Sequence, residues 1–191
     1  MKIRIQKPEI RRILGGRHED LHNEILGMDL SGRAIAPIYR HVYYVSYQDL
    51  TGWYMFQNGA PALCDYKNGY IYCYHDLHLP LTEVRLVHEF LHRAARFPCA
   101  IGVWSSGVEI NGRWSRINEA LTEYFTSLLC GPRYEEQVSR ANRSLVYLPS
   151  VRRVEKEIGR QALLHAYFHH DVDILRDHVT KAGESEWFRF K

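Results

Sequence analysis

The hydrophobic period of the chain changes near residue 80, and that change restricts the folds open to it more than any other feature. Before it, the segments IYRHVYYVSY (38–47) and GYIYCYH (69–75) are rich in tyrosine and β-branched residues, with Thr51-Gly52, Asn58-Gly59 and Asn68-Gly69 as tight-turn pairs around them. After it, apolar residues recur three and four apart, and glycines stand where helices would end. Strands first and helices second predict an α+β domain, a small N-terminal antiparallel sheet packed on a mainly helical C-terminal part. The chain has 191 residues, 46% of them hydrophobic, enough for one core. A single domain over 1–191 is therefore expected, mostly strand over 1–80 and mostly helical over 81–191.

Breaker residues divide the helical block. A first helix is expected from about Leu81 to Ala95, after Pro80. The segment VEINGRWS (108–115) follows as a hairpin-like insert around Asn111-Gly112. A second helix runs from about Arg116 to Cys130, capped by Ser115 and stopped by Gly131-Pro132. A third begins at Ser150 with Val151, Val154 and Ile158 on one face and ends at Gly159; QALLHAYFHH (161–170) makes a fourth. A last short helix is expected between Asp171 and Gly183.

Several classes of function receive no support. No apolar run approaches the roughly eighteen residues of a membrane span, and the opening MKIRIQKPEIRR is charged with no apolar stretch after it, so a cytoplasmic protein is expected. Cys64, Cys73, Cys99 and Cys130 show no C-x-x-C spacing and lie in core-like segments, which predicts reduced, buried thiols. Cys64 and Cys73 are the pair placed to bridge across a hairpin in an oxidising compartment. The net charge of +3 is spread along the chain instead of forming a basic run, so no nucleic-acid partner is expected.

The chemistry lies in two helices. In HEFLH (88–92), His88 and His92 are one helical turn apart, so both imidazoles project from one face and can converge on an ion at about 2.0–2.1 Å. Glu89 lies about 100° round the helix from His88, where it can reach a water held by that ion and serve as a general base. A catalytic zinc site needs a third protein ligand. The segment NEALTEYF supplies Glu119 and, one turn on, Glu123. One of the two carboxylates can bind the metal while the other accepts the outer N–H of a ligating histidine.

A five-residue pattern also arises by chance, and the chain contains a second one, HEDLH (18–22). It carries Asp20 between its histidines, follows Gly15-Gly16 and has no spaced glutamate downstream, which reads as a solvated helix or turn. HEFLH has Leu86 and Val87 before it, Phe90 and Leu91 within it and a strand upstream, as a packed helix requires. His165 and His169 are also four apart but have no acidic partner between them. With His170 they are assigned to packing and surface; His75 and His78 read as loop residues with a subsite role as the alternative. Trp187, Phe188 and Phe190 are expected to cover the helical layer, or else to lie in the cleft.

HEFLH followed by a helical NEALTE resembles the gluzincin group of metallopeptidases, over roughly residues 69–130 and more weakly beyond. That resemblance implies a zincin-like fold and a Zn2+ cofactor, with His88, His92 and Glu119 as ligands, Glu89 as base and Glu123 as support. It implies a peptide or protein substrate, cleaved by metal-activated water and bound along a strand before the active-site helix, for which GYIYCYH is in place. It also implies a Tyr or His beyond the third ligand that steadies the developing oxyanion, and Tyr147 is the choice here. The alternative is an inactive zincin-like protein with structural zinc or a peptide-binding role. A structural site, closed by four protein ligands, has no use for Glu89.

Overall fold

The computed structural model describes residues 2–28, 35–45, 62–74, 81–109, 115–138 and 148–176. The chain opens with a short strand β1 (Lys2–Arg4) and then two helices, α1 (Lys7–Ile13) and α2 (His18–Leu26), in a region expected to be mostly strand. Their apolar residues Ile10, Leu14, Leu21 and Ile25 are fully buried, but so few anchors stand among so many charges that the helical period is weak in the sequence. HEDLH is the start of α2, with His18 buried instead of solvated.

Strands β2 (Val42–Val45), β3 (Ala62–Asp65) and β4 (Tyr70–Tyr74) join β1 in one sheet of order β1-β2-β4-β3. The sheet is mixed, not antiparallel as expected: β4 runs antiparallel to β3 but parallel to β2, with Val42 opposite Ile71 and Val45 opposite Tyr74. Period-2 alternation divides its faces. Val42, Ala62, Ile71 and Cys73 enter the main core, while Val45, Leu63 and Tyr72, with Tyr43, Tyr70 and Tyr74 around them, form a smaller cluster on the other side. There the Lys2 ammonium lies 4.0 Å from the Tyr43 ring centre and 4.7 Å from those of Tyr70 and Tyr72, a cation–π contact that ties the first strand down.

Helix α3 (Glu83–Ala94) lies between this sheet and the later helices, with Leu86, Val87, Phe90 and Leu91 completely buried. Burial of each such side chain contributes about 1.5–3 kcal/mol. Thr82 caps it by accepting the Arg85 N–H, and the Gln137 side chain accepts the Val84 N–H. A hairpin of β5 (Arg96–Ala100) and β6 (Val103–Ser106) then reverses the chain. The hairpin thus lies earlier than the one read around Asn111-Gly112, a pair outside the described residues.

Helix α4 (Ser115–Cys130) packs against α3, and Gly131 at φ +55° breaks it before α5 (Pro132–Val138), α6 (Leu148–Ile158) and α7 (Arg160–His169). Of the last expected helix, one turn at 173–176 is described; the remainder, like Trp187, Phe188 and Phe190, lies outside the described residues. The mixed α+β class, with a small sheet and a mostly helical remainder, agrees with the sequence. Cys64, Cys73 and Cys130 are buried free thiols as expected, and Cys99, also free, is only half-buried. No helix among the described residues is long and apolar enough to cross a membrane.

A buried polar lattice fixes α4. Asn118 accepts the Val108 N–H at 3.2 Å; Thr122 donates to the Asn118 carbonyl at 2.8 Å and lies 2.7 Å from the Tyr167 hydroxyl of α7. Because the single Thr122 proton is committed to Asn118, Tyr167 donates to Thr122. Gly107, at φ +57°, touches this lattice: a Cβ there would lie 1.9 Å from Asn118 Oδ1 and 2.6 Å from Tyr167 Cε2. Gly107→Ala is therefore expected to cost about 2–4 kcal/mol, whereas Gly102→Ala, at φ +73° with nothing within 4 Å, costs about 1 kcal/mol. Urea denaturation of the two variants measures the difference, and equal losses would show that glycine at 107 answers only a backbone requirement.

Candidate metal centre

Helices α3 and α4 bring the three expected donors together. His88 Nε2 lies 3.2 Å from His92 Nε2 and 3.3 Å from Glu119 Oε2, and His92 Nε2 lies 3.1 Å from Glu119 Oε1. Ligands about 2.0–2.1 Å from a tetrahedral ion stand about 3.3 Å from one another, which the two histidine nitrogens match, and the carboxylate sets one oxygen against each of them. His88, His92 and Glu119 together form a group able to hold a metal ion. HEDLH gathers no such group among the described residues. His22 packs its ring 6.2 Å from that of Phe90, and its pKa is lowered by burial and by Arg93.

The outer nitrogens of both histidines are engaged, and this determines which nitrogens are left for a metal. His88 Nδ1 lies 3.0 Å from Glu123 Oε2, and Glu123 in turn accepts a short hydrogen bond from the Tyr134 hydroxyl of α5. Ser106, at the end of β6, donates to the His92 main-chain carbonyl at 2.7 Å. Its oxygen is then free to accept from His92 Nδ1, at a long 3.5 Å. With both protons on Nδ1, both Nε2 lone pairs face the common point. Glu123 therefore holds the supporting position, and Ser106 and Tyr134 join it.

Electrostatics point the same way. Burial works against a charge on His88, but the hydrogen bonds it donates to Glu119 and Glu123 outweigh it and hold its pKa well above the ordinary value, so a bound metal would take the place of the proton between Nε2 and Glu119. At Glu119 burial is again opposed, here by His92 and by hydrogen bonds with both histidines, and the carboxyl stays far below the usual range. Glu119, Glu123 and Glu89 concentrate negative charge around two neutral-capable imidazoles, an environment that draws in a cation. Burial lifts the Glu89 carboxyl above its ordinary value, with His88 and His92 opposing; the Cys64 N–H of β3 is hydrogen-bonded to it. Burial and then Glu89 push the Cys64 and Cys73 thiols up, so they stay neutral beside it.

Tyr147, His75 and His78 fall outside the described residues. His165 and His169 stack on the outside of α7 with ring centres 4.4 Å apart, and His170 Nδ1 meets the Gly107 carbonyl at 2.8 Å. The strand GYIYCYH is β4, inside the sheet with neighbours on both sides, and so offers no edge; the edge beside α3 is β3. Tyr66, just after β3, has its ring 5.8 Å from that of His92, and burial together with Glu119, Glu109 and Glu89 keeps its hydroxyl protonated. Nothing in the spacing of Tyr66, Ser106 or Tyr134 marks them, since each arrives from a separate turn, strand or helix.

Set against models of protein families, characterised proteins and solved structures, the chain matches none of them.

The support around the donors has a measurable consequence. Ser106→Ala and Tyr134→Phe are each expected to weaken zinc binding about tenfold without changing the circular dichroism spectrum. Competition with a chromophoric chelator reads this directly, and an unchanged affinity would remove the substituted residue from the centre.

Proposed function

We propose that this chain is a zinc-dependent peptidase with a zincin-like active site of the gluzincin kind, acting on peptide or protein substrates. The observation that carries the reading is the set of two Nε2 atoms and one carboxylate spaced 3.1–3.3 Å apart, with Glu89 beside it on the same helix. When bound there by His88, His92 and Glu119, zinc would act as a Lewis acid and bring a water's pKa to about 7.

The chain's own groups supply the remaining steps. Glu89, raised by burial, is suited to take the proton from the water as it attacks a peptide carbonyl and to return it to the leaving amine. The Cys64 N–H limits the rotation of that carboxylate. Tyr66 offers a protonated phenol beside His92, which suits a donor to the developing oxyanion and gives a second candidate for the role assigned to Tyr147. Among the described residues β3 is an edge strand, which supports pairing with an extended peptide main chain, the role first given to GYIYCYH. The four unbridged cysteines favour a reducing, cytoplasmic setting.

Glu89→Gln separates this reading from a structural or peptide-binding zinc protein. The variant is expected to keep one zinc per chain while hydrolysis of an unstructured protein substrate falls by about 10²–10⁴. His92→Ala is expected to lose the metal as well. Undiminished turnover in Glu89→Gln would sink the mechanism. Tyr66→Phe should lower kcat by about 10²-fold with zinc binding intact; a normal kcat would return the donor role to another residue.

A further inference from the structure

Arg93 follows His92 on α3 and is only 5% exposed, yet its guanidinium meets no carboxylate among the described residues. Its terminal nitrogens donate to the main-chain carbonyls of Ala36, Pro37 and Arg40, the group lies 4.4 Å from the Phe90 ring centre, and Nε has no acceptor. Three neutral carbonyls satisfy donors without cancelling the charge, and an uncompensated buried cation is costly. Arg96, at the start of β5, stacks 4.7 Å from the Trp104 ring centre. It spends only one terminal nitrogen, on the carbonyls of Tyr66 and Lys67.

Arg93 and Arg96 line the same cavity of about 370 Å³, with His41, Asn68 and Gly69 on its wall and no acidic residue among its described lining. The wall is built for this arrangement. A Cβ at Gly69, which has φ +67°, would lie 2.5 Å from Arg96 Nη1, so glycine is what lets Arg96 sit there. His41 is held at φ +55° with its ring stacked on Tyr70 at 4.7 Å, a backbone conformation uncommon for a residue with a side chain. The field is felt by His41 itself: burial, then the charges of Arg93, Arg4, Arg40 and Lys2, lower its pKa.

We infer that this cavity binds a small phosphate-bearing ligand, with the uncommitted nitrogens of Arg96 as its donors and the buried charge of Arg93 behind them. Two fixed guanidinium groups match the charge of a phosphate dianion and the fork geometry of its oxygens. The cavity is larger than a bare phosphate, which leaves room for an attached organic group. Arg96 is already held in place by Trp104 and the 66–67 carbonyls, so little ordering is required on binding. The site does not depend on the hydrolytic reaction proposed above.

Isothermal titration of the full chain at low ionic strength tests this, with inorganic phosphate, phenyl phosphate and acetate as probes. One phosphate per chain with a sub-millimolar Kd is expected. Arg96→Gln should weaken it at least tenfold, while Arg11→Gln, an exposed change on α1, should alter it less than twofold. Tighter binding of phenyl phosphate than of inorganic phosphate would identify the ligand as a monoester, and the reverse as the free ion. If Arg96→Gln does not fold, amide shifts of His41, Asn68 and Gly69 in the unaltered protein on phosphate addition locate the site instead. Phosphate binding that survives Arg96→Gln, shifts confined to the metal donors, or equal affinity for acetate would overturn the assignment.

Discussion

Helix α3 encloses Glu83, His88, Glu89, His92 and Arg93 among buried apolar side chains, and the rest of the structure answers the cost of enclosing them. Each polar group must find a partner or forfeit its hydration. Glu83 is met by Arg133 at 2.9 Å and Arg17 at 3.5 Å, which draws α2 and α5 to the start of the helix. His88 draws in Glu119 and Glu123 of α4, and His92 draws in Ser106 of β6. Glu89 is reached by the main chain of β3, and Arg93 by the main chain of 36–40. Apolar packing holds α3 in the middle, and these polar requirements decide what stands on each side of it.

The same bonds join the candidate metal centre to the stability of the domain. Ser106 positions His92, and the next residue, Gly107, is the close-approach point for Asn118 and Tyr167. A displacement of β6 would therefore disturb both a supporting bond of the centre and the lattice that fixes α4 to α7. Glu123 is tied through Tyr134 to α5, whose neighbouring Arg133 holds Glu83. Donors supported in this way from several elements are held close to one geometry, as metal binding without rearrangement requires.

The sheet shows where periodicity stops being informative. In YIYCY the period of two turns Ile71 and Cys73 toward the main core and Tyr70, Tyr72 and Tyr74 toward the cluster on the other face. Strand order is not written in that alternation. Parallel and antiparallel partners present the same period, so β4 reads equally well as an edge or an interior strand, and only the pairing with both β2 and β3 settles it. Helices α1 and α2 are hard to read for the opposite reason: a few buried anchors suffice for short helices packed on a large body, and surrounding charge hides them.

For the site, the sequence determined the donors that share a helix. His88 and His92 at i, i+4 must lie on one face, and Glu119 and Glu123 must do so on theirs, because the helical repeat is local and rigid. How the two helices face each other, and hence that Nε2, Nε2 and a carboxylate converge, was decided by the packing of α3 on α4. The groups that orient and surround the donors, Ser106, Tyr134 and Tyr66, come from β6, α5 and the turn after β3. The pairing of Arg93 with Arg96 around a cavity with no acid among its described lining is likewise tertiary, since a chain does not record beside which distant carbonyl or ring a side chain will come to rest. Local geometry propagates only a few residues along a backbone; contacts between segments far apart exist only once the core has chosen its packing.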